Sequence, residues 1–109
     1  MVKLGWKNNE KDIFKIYPKD ADTIYMSALS AINSSNQFEI AETQTKNGYI
    51  LFLYGSKYYL LTVTKRYQNQ TEVKVMPQNS DFSQGNIVAQ TVFKLIDAKL
   101  LTQPMEQIK

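Results

Sequence analysis

The chain has 109 residues, a net charge of +3, and neither cysteine nor histidine. This single domain's length of chain therefore lacks a thiol nucleophile, an Fe–S cluster and a thiolate zinc site. It also lacks an imidazole base, a Ser–His pair and an ordinary zinc or copper site, so only carboxylate, lysine or tyrosine chemistry stays open to an enzyme.

Residues 1–11 read as an N-terminal arm whose Trp6 is expected to dock on the edge of the domain's own core. Residues 12–17, DIFKIY, alternate as a strand, with Phe14 and Ile16 on one face and Ile13, Lys15 and Tyr17 on the other. Pro18 ends it. Asp20 or Asp22 is placed to N-cap a helix over 22–33, where Ile24, Tyr25, Ala28, Leu29 and Ile32 recur at helical spacing. Asn33 to Asn36 stop that helix.

Residues 37–45 form the next strand, with Phe38 and Ile40 inward and Glu39 and Thr43 outward. Asn47-Gly48 is a type I′ hairpin signal, so 49–54, YILFLY, is the return strand. Gly55 to Lys57 turn the chain into 58–66, and Tyr67 to Gln70 turn it into 71–76. In that last strand Thr71, Val73 and Val75 are expected inward and Glu72, Lys74 and Met76 outward. After a polar loop, Ser83 or Asn86 is expected to cap a helix over 86–101, striped by Val88, Ala89, Val92, Phe93, Leu95, Ile96 and Leu100. Residues 102–109 are a polar tail in which Pro104 bars further helix.

The predicted fold is a two-layer α+β domain over 12–101, with an antiparallel sheet of about five strands and both helices packed on one face, in the order β-α-β-β-β-β-α. That order resembles the helix-grip and TATA-box-binding-repeat folds. The resemblance rests on element order with no residue motif, so it implies a layout and no function.

Residues 48–64, GYILFLYGSKYYLLTVT, are apolar on both strand faces, whereas a half-covered sheet alternates. The second face is expected to be covered by the chain itself, by a second copy packed sheet on sheet, or by a partner or ligand. Tyr49, Tyr54, Tyr58 and Tyr59 are the candidate anchors, since aromatic residues are enriched at interfaces. If the helices cover the face of Tyr49, Leu51 and Leu53, the free face carries Ile50, Phe52 and Tyr54.

Residues 46–74 carry Lys46, Lys57, Lys65, Arg66 and Lys74 against Glu72 alone, a modest basic bias. Within them KNGYILFLY (46–54) resembles the RNA-recognition-motif octamer through Gly48, Tyr49 and Tyr54. It departs from that octamer at Ile50, Leu51 and Phe52, and Asn47 is inserted after the basic residue. The resemblance implies a strand platform for bases, which here would use Tyr58, Tyr59, Lys57, Lys65 and Arg66.

Lys3, Lys7, Lys11, Lys15 and Lys19 stand four apart, which even strand spacing explains as one solvated face. Asp20 with Asp22 reads as capping. Glu39 and Glu42, an odd number apart, are expected on opposite faces, so neither pair forms a hydrolytic dyad. Asp81, Asp97 and Glu106 read as isolated.

These observations point to a small non-enzymatic binding domain with no cofactor and no metal. Its expected partner is a protein, or a second copy, met through the Tyr-rich sheet. The alternatives are a sequence-tolerant nucleic-acid binder and a carrier of small apolar ligands between sheet and helices. No run approaches the 18 apolar residues of a membrane span and the N-terminus lacks a signal-peptide core. A cytoplasmic, bacterial-like protein is expected, although an exported mature domain recloned without its leader would read the same.

Overall fold

The computed structural model describes residues 5–6, 13–78 and 84–102. The first helix, α1 (Ala21–Ser34), starts where Asp20 stands extended and its carboxylate accepts from the Thr23 backbone N–H at 3.0 Å and from the Thr23 hydroxyl at 2.7 Å. One of the helix's unpaired N–H groups is thereby satisfied, with a negative charge at the positive end of the dipole. The hydrogen bonds from Thr23 hold the Asp20 carboxyl below its ordinary pKa. Ser35 closes the helix, its N–H donating to the Ile32 carbonyl at 3.2 Å. The second helix, α2 (Gly85–Thr102), opens at Gln84, whose carbonyl accepts from Val88 N–H at 2.9 Å. Asn86 therefore lies inside the helix and does not cap it. Ser83, the arm lysines Lys3, Lys7 and Lys11, Asp81, Glu106 and the tail lie outside the described residues.

The strands are β1 (Gly5–Trp6), β2 (Ile13–Tyr17), β3 (Phe38–Gln44), β4 (Tyr49–Tyr54), β5 (Lys57–Tyr67) and β6 (Gln70–Pro77). They form one antiparallel sheet in the order β1-β2-β6-β5-β4-β3. The meander β3 to β6 is local. The long-range step is β2 pairing with β6, which α1 allows by crossing the sheet between β2 and β3. The α+β order β-α-β-β-β-β-α is as expected, with β1 added where Gly5 and Trp6 register on Phe14 and Ile13.

Turn chemistry sets the register. Gln44 pairs Tyr49, so the first hairpin loop has the residues Thr45 to Gly48. Gly48 N–H donates to the Thr45 carbonyl at 3.2 Å, and Gly48 alone takes a positive φ, of 72°. This replaces the expected two-residue type I′ turn, which needs positive φ at both central residues. The Gly48 carbonyl then accepts from Val63 N–H at 2.7 Å, so a β-carbon at Gly48 would sit 2.6 Å from the Val63 carbonyl oxygen. Gly55 (φ 65°) opens a two-residue turn, and Asn69 (φ 57°) takes the left-handed conformation that Asn tolerates better than other side chains.

Both helices lie on one face of the sheet. Ile13, Ile50, Phe52, Tyr59, Leu61, Val73 and Val75 point at them and are essentially fully buried with Ile24, Ala28, Ile32, Val88, Val92 and Ile96. Burial of each large side chain contributes about 1.5–3 kcal/mol. Ala28 and Ala31 are buried small residues, and Ala31 lines a groove between α1 and α2. The helices cover Ile50 and Phe52 and leave Tyr49, Leu51 and Leu53 on the other side, the reverse of the face expected from the sequence. Since Phe52 and Tyr59 are buried in the space between the layers, the grooves formed by described residues open on the outer surface instead.

Directional bonds tie the layers. Thr71 Oγ1 donates to the Lys19 carbonyl at 2.7 Å, and Tyr25 Oη donates to the Tyr49 carbonyl at 3.1 Å. Lys15 Nζ meets Asp97 Oδ2 at 2.7 Å and lies 5.0 Å above the Tyr17 ring, which joins α2 to β2 across the sequence. Asp97 is thus a partnered residue and not the isolated carboxylate expected. Lys15 does not belong to a solvated stripe. Tyr17 Oη is buried next to the Asp97 carboxylate without hydrogen-bond alignment. Burial, and secondarily that carboxylate, push the Tyr17 pKa well above the ordinary phenol value.

Two outcomes are expected. Gly48→Ala forces both a left-handed alanine and a close approach to Val63, and should lower the unfolding free energy by at least about 1–3 kcal/mol in denaturant titration. For Tyr17, folding raises the pKa, so the folded chain keeps a proton that the unfolded chain releases above about pH 10. The stabilisation is intact below that pH and lost as pH rises above it. Tyr17→Phe should leave stability at pH 7 unchanged or higher, and should flatten the alkaline fall relative to the parent.

Candidate interaction surface

The face turned away from the helices is built by strand parity. Directly paired residues share a face, so the register defines its rows. Glu39, Leu53 and Tyr58 form one; Glu42, Leu51, Leu60 and Met76 form the next. Gln44, Tyr49, Thr62, Lys74 and Phe14 follow, then Thr64, Glu72 and Ile16. Phe14, Ile16, Tyr49, Leu51, Leu53, Leu60 and Met76 are half-buried by their row neighbours, and Tyr58 is 47% exposed. Among the described residues, no element lies over this face.

Strict alternation would send Glu39 and Glu42 to opposite sides. The register shifts between Ile40 and Glu42, so Glu39 pairs Leu53 and Glu42 pairs Leu51, and Leu51 and Leu53 share a face. The extra residue, Ala41, is a β-bulge that brings both carboxylates to the open face. They line the β3 margin, where acidic side chains and a bulge also discourage edge-to-edge pairing. Tyr49 Oη donates to Glu42 Oε2 at 2.9 Å, and that bond raises the Tyr49 pKa. Arg66 Nη1 meets Glu72 Oε1 at 2.7 Å, so these two charges are mutually compensated. Lys74 stands on the β6 side of the apolar band. A groove of about 370 Å³ crosses one end of this face from β3 to the end of β6, lined by Ala41, Glu42, Leu51, Ser56, Tyr58 and Gln78.

The seven residues singled out from the sequence divide between the faces. Tyr49, Tyr58 and Arg66 stand on the open face. Tyr59 is only 1% exposed, stacked beside Phe52 in the core, and is not a surface anchor. Tyr54 is half-buried on the helix side, its ring centroid 5.6 Å from Phe38. Lys57 pairs with Tyr54 and shares that side. Lys65 pairs with Thr71 and borders a groove beside Asp20 and Asp22. The structure therefore does not gather the basic and aromatic residues into one platform. Of the residues that do gather, Phe14, Ile16 and Met76 stand in alternating strands, whereas Leu51, Leu53 and Leu60 lie in the stretch that is apolar on both faces. What was missing was the face on which the helices lie.

Among the described residues no three acidic side chains come together as a metal site, and no helix is long and apolar enough to cross a membrane. No protein-family model matches the chain, and no curated protein does. Among solved structures the chain is similar to a conserved protein of unknown function from Enterococcus faecalis, at 12% identity and a TM-score of 0.48 over 87% of this chain and 74% of that one.

Proposed function

We propose that the protein is a non-enzymatic binding domain that docks a protein surface on the open face of its sheet. The observation that carries this reading is the one-sided sheet: both helices pack on one face, and the other presents a contiguous band of large apolar side chains. Apolar bands of this kind mark interaction sites in small soluble domains. Tyr58 offers a rigid ring with a hydroxyl that can stay in water, as interface anchors do. The absence of cysteine and histidine from the sequence favours binding over catalysis.

The charges on that face favour protein over nucleic acid. Glu39, Glu42 and Glu72 share it with Lys74 and Arg66, and Arg66 is already paired with Glu72. A phosphate backbone laid there would meet more acid than base, where such binding needs the reverse.

The test is a photoreactive phenylalanine analogue placed at Tyr58 in expressing cells, with the same analogue at Ser30, an exposed position on α1, as the control. The expected result is a protease-sensitive adduct at Tyr58 only, abolished by Leu60→Lys and unaffected by Ile87→Lys on the exposed side of α2. Adduct equal at both positions, adduct indifferent to Leu60→Lys, nuclease-sensitive adduct, or none at Tyr58 would each overturn the reading.

A further inference from the structure

We infer that the occupant of the open face is a second copy of this chain, packed sheet on sheet about a two-fold axis that runs along the strands midway between β4 and β5. This rests on the docking reading above and goes beyond it by naming the partner. The ground is that the face is complementary to itself. Its β3 margin is acidic, through Glu39 and Glu42, and its β6 side carries Lys74, with the neighbouring Glu72 already compensated by Arg66. Among the described residues neither Glu39 nor Lys74 belongs to an ion pair. Between them lies the apolar band of Leu51, Leu53, Tyr58 and Leu60.

The stated axis exchanges β4 with the partner's β5 and β3 with the partner's β6. Leu51 then faces the partner's Leu60, and Leu53 faces the partner's Tyr58. Gln44 falls opposite the partner's Lys74, with Glu42 only two residues along the same strand. That offset is about 6.6 Å, within reach of the four-carbon stem of lysine. Each acid–base contact occurs twice, as an isologous interface requires. The opposite choice, an axis across the strands, would lay the β3 acids over each other and is disfavoured by repulsion.

Size sets the expected strength. Four strands about 4.8 Å apart, over about 20 Å of strand, give a footprint of about 400 Å² per copy. With side-chain relief added, this is the low end of specific interfaces. The dimer should therefore be reversible, and in aligned packing its two sheets should lie about 10 Å apart.

Sedimentation over a concentration series tests the inference with the parent, Glu42→Lys, Lys74→Glu, and an equimolar mixture of the two variants. Circular dichroism verifies that each variant is folded. The parent should form a reversible dimer. Each variant alone juxtaposes like charges twice and should dimerise at least about tenfold more weakly. The mixture restores both contacts and should dimerise within about threefold of the parent, as a heterodimer. A parent that stays monomeric at the highest concentration reached, variants that dimerise as the parent does, or a mixture that stays monomeric would each overturn the inference. If the parent is monomeric while photoreactive Tyr58 captures a different protein, the second-copy inference falls and the docking reading stands. If the parent is monomeric and Tyr58 captures nothing, both fall.

Discussion

Both helices pack on the same face of one antiparallel sheet, and the rest of the structure follows from that constraint. Once α1 and α2 share a face, strand parity decides which side chain of every neighbouring pair enters the core. Phe52 and Tyr59, paired across β4 and β5, stack at 5.8 Å with 22° between their planes, and Phe38 meets Phe52 edge-on at 5.3 Å. This aromatic cluster is available to the helices only because Leu53 and Tyr58 are turned away. The same parity that fills the core leaves a second set of apolar side chains on the far side.

The bulge at Ala41 is one of two local exceptions, the other being at Arg66 in β5, and it shapes the electrostatics of that far side. One extra residue in β3 reverses the alternation, so Glu42 joins Glu39 instead of opposing it. An acidic margin thus flanks an apolar band whose basic residue, Lys74, lies two strands beyond β4. The cross-layer bonds act on the other side. Lys15 with Asp97 fixes α2 over β2, and Thr71 with the Lys19 carbonyl fixes the entry to α1. With Asp97 43% exposed, this ion pair contributes little net stability.

Much of the fold could be read in the sequence because local chemistry dictated it. Asp20 capping α1, Pro18 ending β2, Gly55 turning β4 into β5 and the apolar stripe of α2 all depend on near neighbours. What could not be read depends on residues far apart. YILFLY is apolar on both faces, so no pattern within it says whether Ile50 or Leu51 is covered. That choice is made by helices placed through the long-range pairing of β2 with β6. The bulge at Ala41 leaves no mark in composition, and Lys15 and Asp97 are 82 residues apart. The candidate surface inherited this ambiguity. Tyr58 and Tyr59 look alike in the sequence and end on opposite sides of the sheet.

Those adjacent tyrosines allow the most direct measurement. Tyr58→Ala and Tyr59→Ala would be compared with the parent by denaturant unfolding, each at a concentration low enough to be monomeric. A one-sided sheet requires Tyr59→Ala to cost about 3–5 kcal/mol, or to prevent folding, since it empties a core site. Tyr58→Ala should change stability by no more than about 1 kcal/mol. Equal costs, or a larger cost at Tyr58, would mean that the helices cover the other face and would contradict the register on which the binding surface depends.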